Sequence, residues 1–129
     1  MNKFLRWLPA LLWATFIFLL SAMANPPSPG PKFLMKDKLG HWGVYGVLGW
    51  LIAIALRRSH NLSLPKTFVL AILIGSAYGA SDEFHQRFVP NRTCDVMDWF
   101  ADTLGASAAA AAFYAYELHR SAKANRQPA

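Results

Sequence analysis

Apolar residues dominate four stretches of this 129-residue chain, and polar residues gather between them. The apolar stretches cover about residues 7–24, 39–56, 67–81 and 100–116. A helix needs roughly 20 apolar residues to cross a hydrocarbon core of about 30 Å, and fewer where the bilayer thins. The pattern therefore predicts an all-α integral membrane bundle of about four transmembrane helices, with residues 1–129 as one domain.

The boundaries of the stretches carry further predictions. Proline density in Asn25 to Pro31 forbids helix and predicts an extended connection between the first two helices. The first stretch has an alternative interpretation, because Lys3, Arg6 and the small residues Ala22-Met23-Ala24 also resemble a signal peptide and its cleavage site. The third stretch is short for a membrane span, so it could begin or end inside the protein and draw the acidic residues that follow it below the membrane surface.

The distribution of charge predicts the orientation, because basic residues accumulate on cytoplasmic loops. With four spans, the side that carries both termini and the middle loop has eight Lys and Arg residues, and the other side has five. Six of the seven acidic residues fall on that other side, and only Glu117 does not. We therefore expect both termini in the cytoplasm and the acidic residues at the extracytoplasmic face.

Composition argues against nucleic acid as a partner and gives little information about redox chemistry. The net charge is +6, but the basic residues flank apolar stretches and form no stripe with interleaved aromatic residues. This arrangement argues against nucleic acid as a partner. Cys94 is the single cysteine, so it cannot form an internal disulfide, and we predict that it is a packing residue.

Polar side chains recur at helical spacing and are predicted to converge. Asp37, His41 and Tyr45 are four residues apart, which places them on one face of the second helix. A second stripe enters the fourth helix and consists of Asp95, Asp98, Asp102 and Gly105. The end of the third stretch adds Asp82, Glu83, His85 and Gln86. The loops that join the helices bring these three groups to the same face of the bundle.

Ionisable residues in a membrane are costly, so each needs a partner or a function. We consider His41, Glu83 and Asp98 as candidate catalytic acids, bases or metal ligands. The candidate ligand-binding residues are Asp37, Lys38, Tyr45, Asp82, Gln86, Arg92 and Asp102. Lys38, Arg87 and Arg92 could meet a phosphate group. The alternative is a non-catalytic structural or partner-binding membrane protein, in which the basic residues neutralise the acids and hold the helices together.

The sequence leaves cofactors open and suggests several partners. Carboxylates would suit magnesium, calcium or manganese, and the imidazoles would admit zinc, but no compact motif such as His-Glu-x-x-His is present. The expected partners are membrane lipids and a lipid-linked molecule of the cell envelope. A second copy of the chain is a further candidate partner, since small residues let membrane helices pack closely, and glycines recur at Gly43, Gly46, Gly49, Gly75 and Gly79. A proton-coupled carrier is disfavoured because the acids lie at one face and not at the midplane.

Three motifs in this order resemble the VanZ-like family of small bacterial membrane proteins. The first is Asp37-Lys38 with His41 and Tyr45, and the second is Ser81-Asp82-Glu83 with Gln86, Phe88, Pro90 and Arg92. The third is Asp98, Asp102 and Gly105, and the Leu-Leu-Ser21 ending of the first stretch also fits. The resemblance covers about residues 7–115.

The resemblance implies about four transmembrane helices in a bacterial inner membrane. For the founding member of the family it also implies low-level resistance to the glycopeptide teicoplanin. This chain departs from the family pattern in two places. Members often carry Asn where this chain has Asp102, and they have a second glycine where this chain has residues 107–110. A role carried over to Asp102 therefore needs support from the structure.

Overall fold

The computed structural model describes residues 2–24 and 34–126, and the side chains of residues 34–37 are not described. The predicted extended connection and the side chain of Asp37 therefore lie outside the described residues. The described part of the chain contains four helices and no strand: α1 (Lys3–Ser21), α2 (Leu34–His60), α3 (Leu64–Gln86) and α4 (Val96–Ala124). The prediction of an all-α bundle is confirmed.

Local signals in the sequence set several helix ends. The side chain of Asn2 accepts a hydrogen bond from the Phe4 amide at the start of α1, and Asp95 accepts one from the Met97 amide at the start of α4. Pro65 lies in the first turn of α3, where its missing N–H costs nothing. Asn61 follows α2 with a φ of 49°, the left-handed conformation that commonly ends a helix.

The helices differ in extent from the apolar stretches that predicted them. The third stretch was expected to end near residue 81, but α3 continues to Gln86. The acidic residues Asp82 and Glu83 therefore lie on the last turns of a 23-residue helix and not in a loop. α2 and α4 are also longer than expected, while α1 begins earlier and ends at Ser21.

Three helices are long and apolar enough to cross a membrane: α1, the part of α2 from Lys38 to His60, and α3. Among the described helices, α4 is long enough to cross a membrane but is not apolar enough by the same measure. It is nevertheless the longest helix, with 29 residues. Its alanine-rich middle and the acids at its start make it less apolar than its neighbours.

Small residues bring α2 and α4 into close contact along their length. The two helices run in the same direction, and a Cβ atom on Gly49 would stand 2.8 Å from the Cα of Ala106. A Cβ atom on Gly105 would overlap the backbone carbonyl of Trp42. Gly43 was expected to be a close-packing position, but no described atom lies within 4 Å of the place where its Cβ would be. It faces an open apolar groove between the two helices.

Hydrogen bonds tie α1 to the other helices. The indole Nε1 of Trp13 donates to the carbonyl of Val44 at 2.9 Å, and the hydroxyl of Tyr78 donates to the carbonyl of Ala14 at 2.6 Å. Each bond satisfies a polar atom inside an apolar interface, where an unpaired donor would be costly. The indole and phenol rings thereby fix α1 against α2 and α3.

A second polar group occupies the opposite end of the bundle from the acidic residues. Glu117 is buried there, and its carboxylate lies 3.3 Å from Arg120 and 3.9 Å from Arg57. This carboxylate has two cationic neighbours, so its burial is compensated.

Candidate functional site

Three helix ends meet at one end of the bundle: the beginning of α2, the end of α3 and the beginning of α4. Side chains from all three helices contact one another there. We call this set the polar cluster. It consists of Lys38, His41, Asp82, Glu83, Gln86, Asp95, Asp98 and Asp102. The structure thus brings together most of the predicted site residues.

Lys38 joins the beginning of α2 to the beginning of α4. Its ammonium lies 2.6 Å from a carboxylate oxygen of Asp95 and also donates a short hydrogen bond to Asp98. The hydrogen bond from Lys38 holds the pKa of the Asp95 carboxyl below its usual value, and the bond from the Met97 amide acts in the same direction. Lys38 was expected to meet a phosphate, but its ammonium is engaged by these two carboxylates.

His41 lies between two acids of α4. Its Nδ1 is 2.9 Å from Oδ1 of Asp102, and its Nε2 is 3.9 Å from Oδ2 of Asp98. A carboxylate hydrogen-bonded to one ring nitrogen fixes the orientation of the imidazole and leaves the other nitrogen to exchange a proton. The helical spacing of Asp98 and Asp102 therefore places both acids on the face that contacts α2.

Asp102 is the most deeply buried acid of the cluster, with none of its side chain exposed. Its Oδ1 contacts His41, but its Oδ2 has no hydrogen-bond partner among the described residues. Gly79 provides the space for this carboxylate, because a Cβ atom there would stand 3.1 Å from the Oδ2 of Asp102. A buried acceptor without a partner costs about 1–3 kcal/mol, more when it is charged.

Glu83 enters the cluster from the last turn of α3. Its Oε2 accepts a hydrogen bond from the Asp95 amide at 2.8 Å, and its Oε1 accepts one from Gln86 at 3.3 Å. The same Gln86 amide nitrogen lies 3.3 Å from Asp82. Gln86 thus holds two neighbouring acids in place, and Glu83 anchors the start of α4 to the end of α3.

The three helices together offer a set of metal ligands or of acid and base groups. One ligand atom each from His41, Glu83 and Asp102 lies within 4.8 Å of the other two. An imidazole nitrogen with two carboxylate oxygens is a combination that zinc and manganese accept. The same groups could transfer protons, since an imidazole and two carboxylates lie close to one another.

Other predicted site residues lie apart from these contacts. Arg92 is half-buried in the α3–α4 loop and, among the described side chains, forms no ion pair. Arg87 is exposed and lies over the ring of Phe84. Tyr45 is buried next to Tyr78, and its hydroxyl has no hydrogen-bond partner among the described residues. It lies close to the cluster, because a Cβ atom on Gly79 would be 3.4 Å from its ring.

The sequence did not reveal a set of hydrogen bonds that supports the cluster from below. The indole Nε1 of Trp99 lies 3.1 Å from the Ser76 carbonyl, and the hydroxyls of Ser76 and Thr103 are 2.9 Å apart. No spacing in the sequence distinguishes these residues from ordinary packing positions. The prediction that Cys94 is a packing residue was wrong, since its side chain is exposed in the α3–α4 loop.

Three helices apolar enough to cross a membrane, with a buried cluster of acids, imidazole and ammonium at one end of the bundle, are typical of an all-helical membrane protein. The chain belongs to the VanZ/LLP1 family, whose model matches residues 4–117. This match confirms the resemblance that the three motifs indicated. The comparisons with curated proteins and with solved structures returned no match.

Proposed function

We propose that this protein is a multi-pass protein of the bacterial inner membrane whose polar cluster faces the extracytoplasmic side. There it binds, and acts on, the head group of a lipid-linked molecule of the cell envelope. The observation that carries the proposal is the contact of His41 with the fully buried Asp102, with Glu83 within 4.8 Å. Ionisable groups held this deep in a membrane protein mark functional sites more often than structural ones.

The orientation follows from four spans, with α4 crossing the membrane beside α2. An even number of spans puts both termini on the same side. The short α2–α3 connection, flanked by Arg57, Arg58 and Lys66, then lies on that side, which favours the cytoplasm. The polar cluster falls at the opposite end of the same helices, within reach of head groups in the outer leaflet.

The chemistry of the cluster suits general acid and base catalysis. In the contact with Asp102, the imidazole of His41 is held in one orientation and can pass a proton through Nε2. Glu83 supplies a second group that can accept or donate a proton from α3. The Asp95 amide and Gln86 hold this carboxylate in position.

A structural role is the competing function, and Lys38 supports it. The ammonium of Lys38 joins Asp95 and Asp98, and this contact alone would hold the beginnings of α2 and α4 together. That role does not need the charge of Glu83, because the amide oxygen of a glutamine could still accept the hydrogen bond from the Asp95 amide. A non-catalytic bundle would therefore keep its function when Glu83 becomes neutral.

Native mass spectrometry of the protein released from a mild detergent tests the proposal. We expect the wild type to retain a phosphate-bearing lipid that Glu83→Gln loses. Glu117→Gln is the matched control, because it neutralises an equally buried glutamate at the opposite end of the bundle and should retain the lipid. Lipid profiles of cells that overproduce the same three proteins then separate binding from modification. Wild-type protein without retained lipid, together with three identical lipid profiles, would contradict the proposal.

The family resemblance extends the proposal to glycopeptide antibiotics. A change in an envelope lipid would alter the surface that teicoplanin meets. Teicoplanin susceptibility of cells with and without the protein tests this extension, and Glu83→Gln should behave like the absence of the protein.

A further inference from the structure

We infer that His41, Glu83 and Asp102 bind a divalent cation of the zinc or manganese class. The inference rests on the proposed function and deepens it, because the cation would sit where the head group is expected to bind. With the cation bound, His41 and Glu83 serve as its ligands and not as proton-transfer groups. Its first support is geometric: the three ligand atoms come from α2, α3 and α4 and lie within 4.8 Å of one another. Ligands on opposite sides of a cation lie at most about 4.4 Å apart, so a small side-chain rotation closes the set.

The second support is the unpartnered oxygen of Asp102. The side chain of Asp102 is fully buried, and its Oδ2 has no hydrogen-bond partner among the described residues. A cation within reach of Asp102 and Glu83 offsets the cost of burying both carboxylates. A helix-stapling role would leave this oxygen with no partner among the described residues.

The third support is the balance of charge. Five carboxylates of the polar cluster lie near one ammonium and one imidazole, and Lys38 is already paired with Asp95 and Asp98. A phosphate group would be repelled by this excess of negative charge. A divalent cation reverses the local balance and gives the phosphate oxygens a ligand position, which is the common role of a metal in phosphate chemistry. The metal thus explains how an acidic site can take an anionic head group.

The groups around the three ligands fix their orientation. The Asp95 amide and Gln86 hold the two oxygens of Glu83, and Asp98 lies 3.9 Å from Nε2 of His41. Such second contacts tune metal sites and restrict the rotation of the ligands. The mixture of one nitrogen and two oxygen ligands favours zinc or manganese over magnesium, which prefers oxygen ligands and water.

Metal titration of the full-length protein in a mild detergent tests the inference. The protein is stripped with a chelator, titrated with Zn²⁺ or Mn²⁺ alone, and its bound metal is measured by calorimetry and elemental mass spectrometry. We expect one ion per chain and at least a tenfold loss of affinity in Glu83→Gln and in Asp102→Asn. Asp102→Asn keeps the shape of the side chain, so it tests the ligand without emptying the space beside Gly79. Glu117→Gln should bind the ion with unchanged affinity.

Two outcomes would overturn the inference. One is the absence of an ion in folded wild-type protein, checked by size-exclusion chromatography and circular dichroism. The other is an ion whose affinity is the same in folded Glu83→Gln and Asp102→Asn, which would place it on surface carboxylates. A wild type that binds the ion but never retains lipid would uphold the metal site and contradict the proposed function. If chelator-treated protein retains the lipid and has no affinity for the metal, the proposed function would be upheld and the metal site contradicted.

Discussion

The backbone carbonyl of Trp42 lies against the α-carbon of Gly105, in the space that a Cβ atom would occupy. This contact sets the distance between α2 and α4 one turn below the polar cluster. His41 immediately precedes Trp42 on α2, and Asp102 lies one helical turn before Gly105 on α4, so the same approach brings the imidazole to 2.9 Å from the carboxylate. Close packing and the site are therefore one feature of the fold.

We expect Gly105→Ala to destabilise the bundle by about 1–3 kcal/mol or more, because the added methyl group overlaps backbone and not a side chain that could move. Thermal unfolding in detergent, followed by intrinsic fluorescence, measures the effect. Gly43→Ala is the matched control, since no described atom lies within 4 Å of its added Cβ. Equal melting temperatures for the two variants would show that α2 and α4 are farther apart than described here.

The exposed thiol of Cys94 provides a direct test of orientation. It is the single cysteine and lies in the α3–α4 loop, next to the polar cluster. A membrane-impermeant maleimide should label it from the outside in spheroplasts. In the variant Cys94→Ala with Ser121→Cys, the new thiol lies on the exposed last part of α4 and should react only after the membrane is permeabilised. The opposite labelling pattern would reverse the proposed topology.

Removing the ammonium of Lys38 should leave Asp95 and Asp98 as neighbouring uncompensated acids. We expect Lys38→Met to lower the free energy of unfolding by about 1–2 kcal/mol, between the values for exposed and buried ion pairs, because 30% of the Lys38 side chain remains exposed. Adding Asp98→Asn to Lys38→Met should restore part of the loss. A double-mutant cycle from the same unfolding measurement gives the coupling between the two residues. Strict additivity would mean that the contact contributes nothing to the bundle.

Neutralising the acids of the site should separate chemistry from stability. We expect Glu83→Gln and Asp98→Asn to abolish the change in envelope lipids while the amount of protein in the membrane stays near normal. The measurement combines lipid profiles with immunoblots of membrane fractions. If the protein only binds its ligand, Arg92→Gln should cost more than Glu83→Gln, because attraction to a phosphate depends on the cation. Loss of folded protein in both acid variants would favour the structural role instead.

Removal of the hydrogen bonds between Trp99 and Ser76 should lower the stability of the helix packing next to the polar cluster. Trp99→Phe keeps an aromatic ring but removes the N–H that contacts Ser76, so we expect a loss of about 1 kcal/mol in stability. Thermal unfolding measures the loss, and it should be accompanied by weaker metal affinity. Trp42→Phe is the comparison, since the Trp42 side chain is largely exposed and makes no such bond among the described residues. A larger loss in Trp42→Phe would contradict this account.

The sequence predicted the helices and the faces they present, because both depend on regular spacing. Asp98, Asp102 and Gly105 share one face of α4, and all three contact α2. The extent of α3 was underestimated, since the apolar pattern ends before the helix does. A helix with buried acids in its last turns loses the hydropathy signal although its backbone hydrogen bonds continue.

Partner choice could not be predicted from the sequence. Several basic residues are close to the acids in the sequence, but only the folded structure shows that Lys38 forms ion pairs with Asp95 and Asp98. The hydrogen bond from the Asp95 amide to Glu83 uses a backbone donor, which every residue except proline has, so the sequence does not identify it. For the same reason the glycine pattern did not distinguish Gly105, which touches a carbonyl, from Gly43, which touches nothing described.

The marginal hydropathy of α4 has a consequence for how the protein is made. α1, the part of α2 from Lys38 to His60, and α3 are long and apolar enough to cross a membrane, whereas α4 packs more extensively on α2 than on any other helix. A helix of marginal hydropathy is stabilised more by packing on a neighbouring helix than by contact with lipid. We therefore expect α4 to insert after α2 and α3. The polar cluster, to which α4 contributes Asp98 and Asp102, is then completed only at the last step of biogenesis, and the earlier intermediates lack the contact between His41 and Asp102.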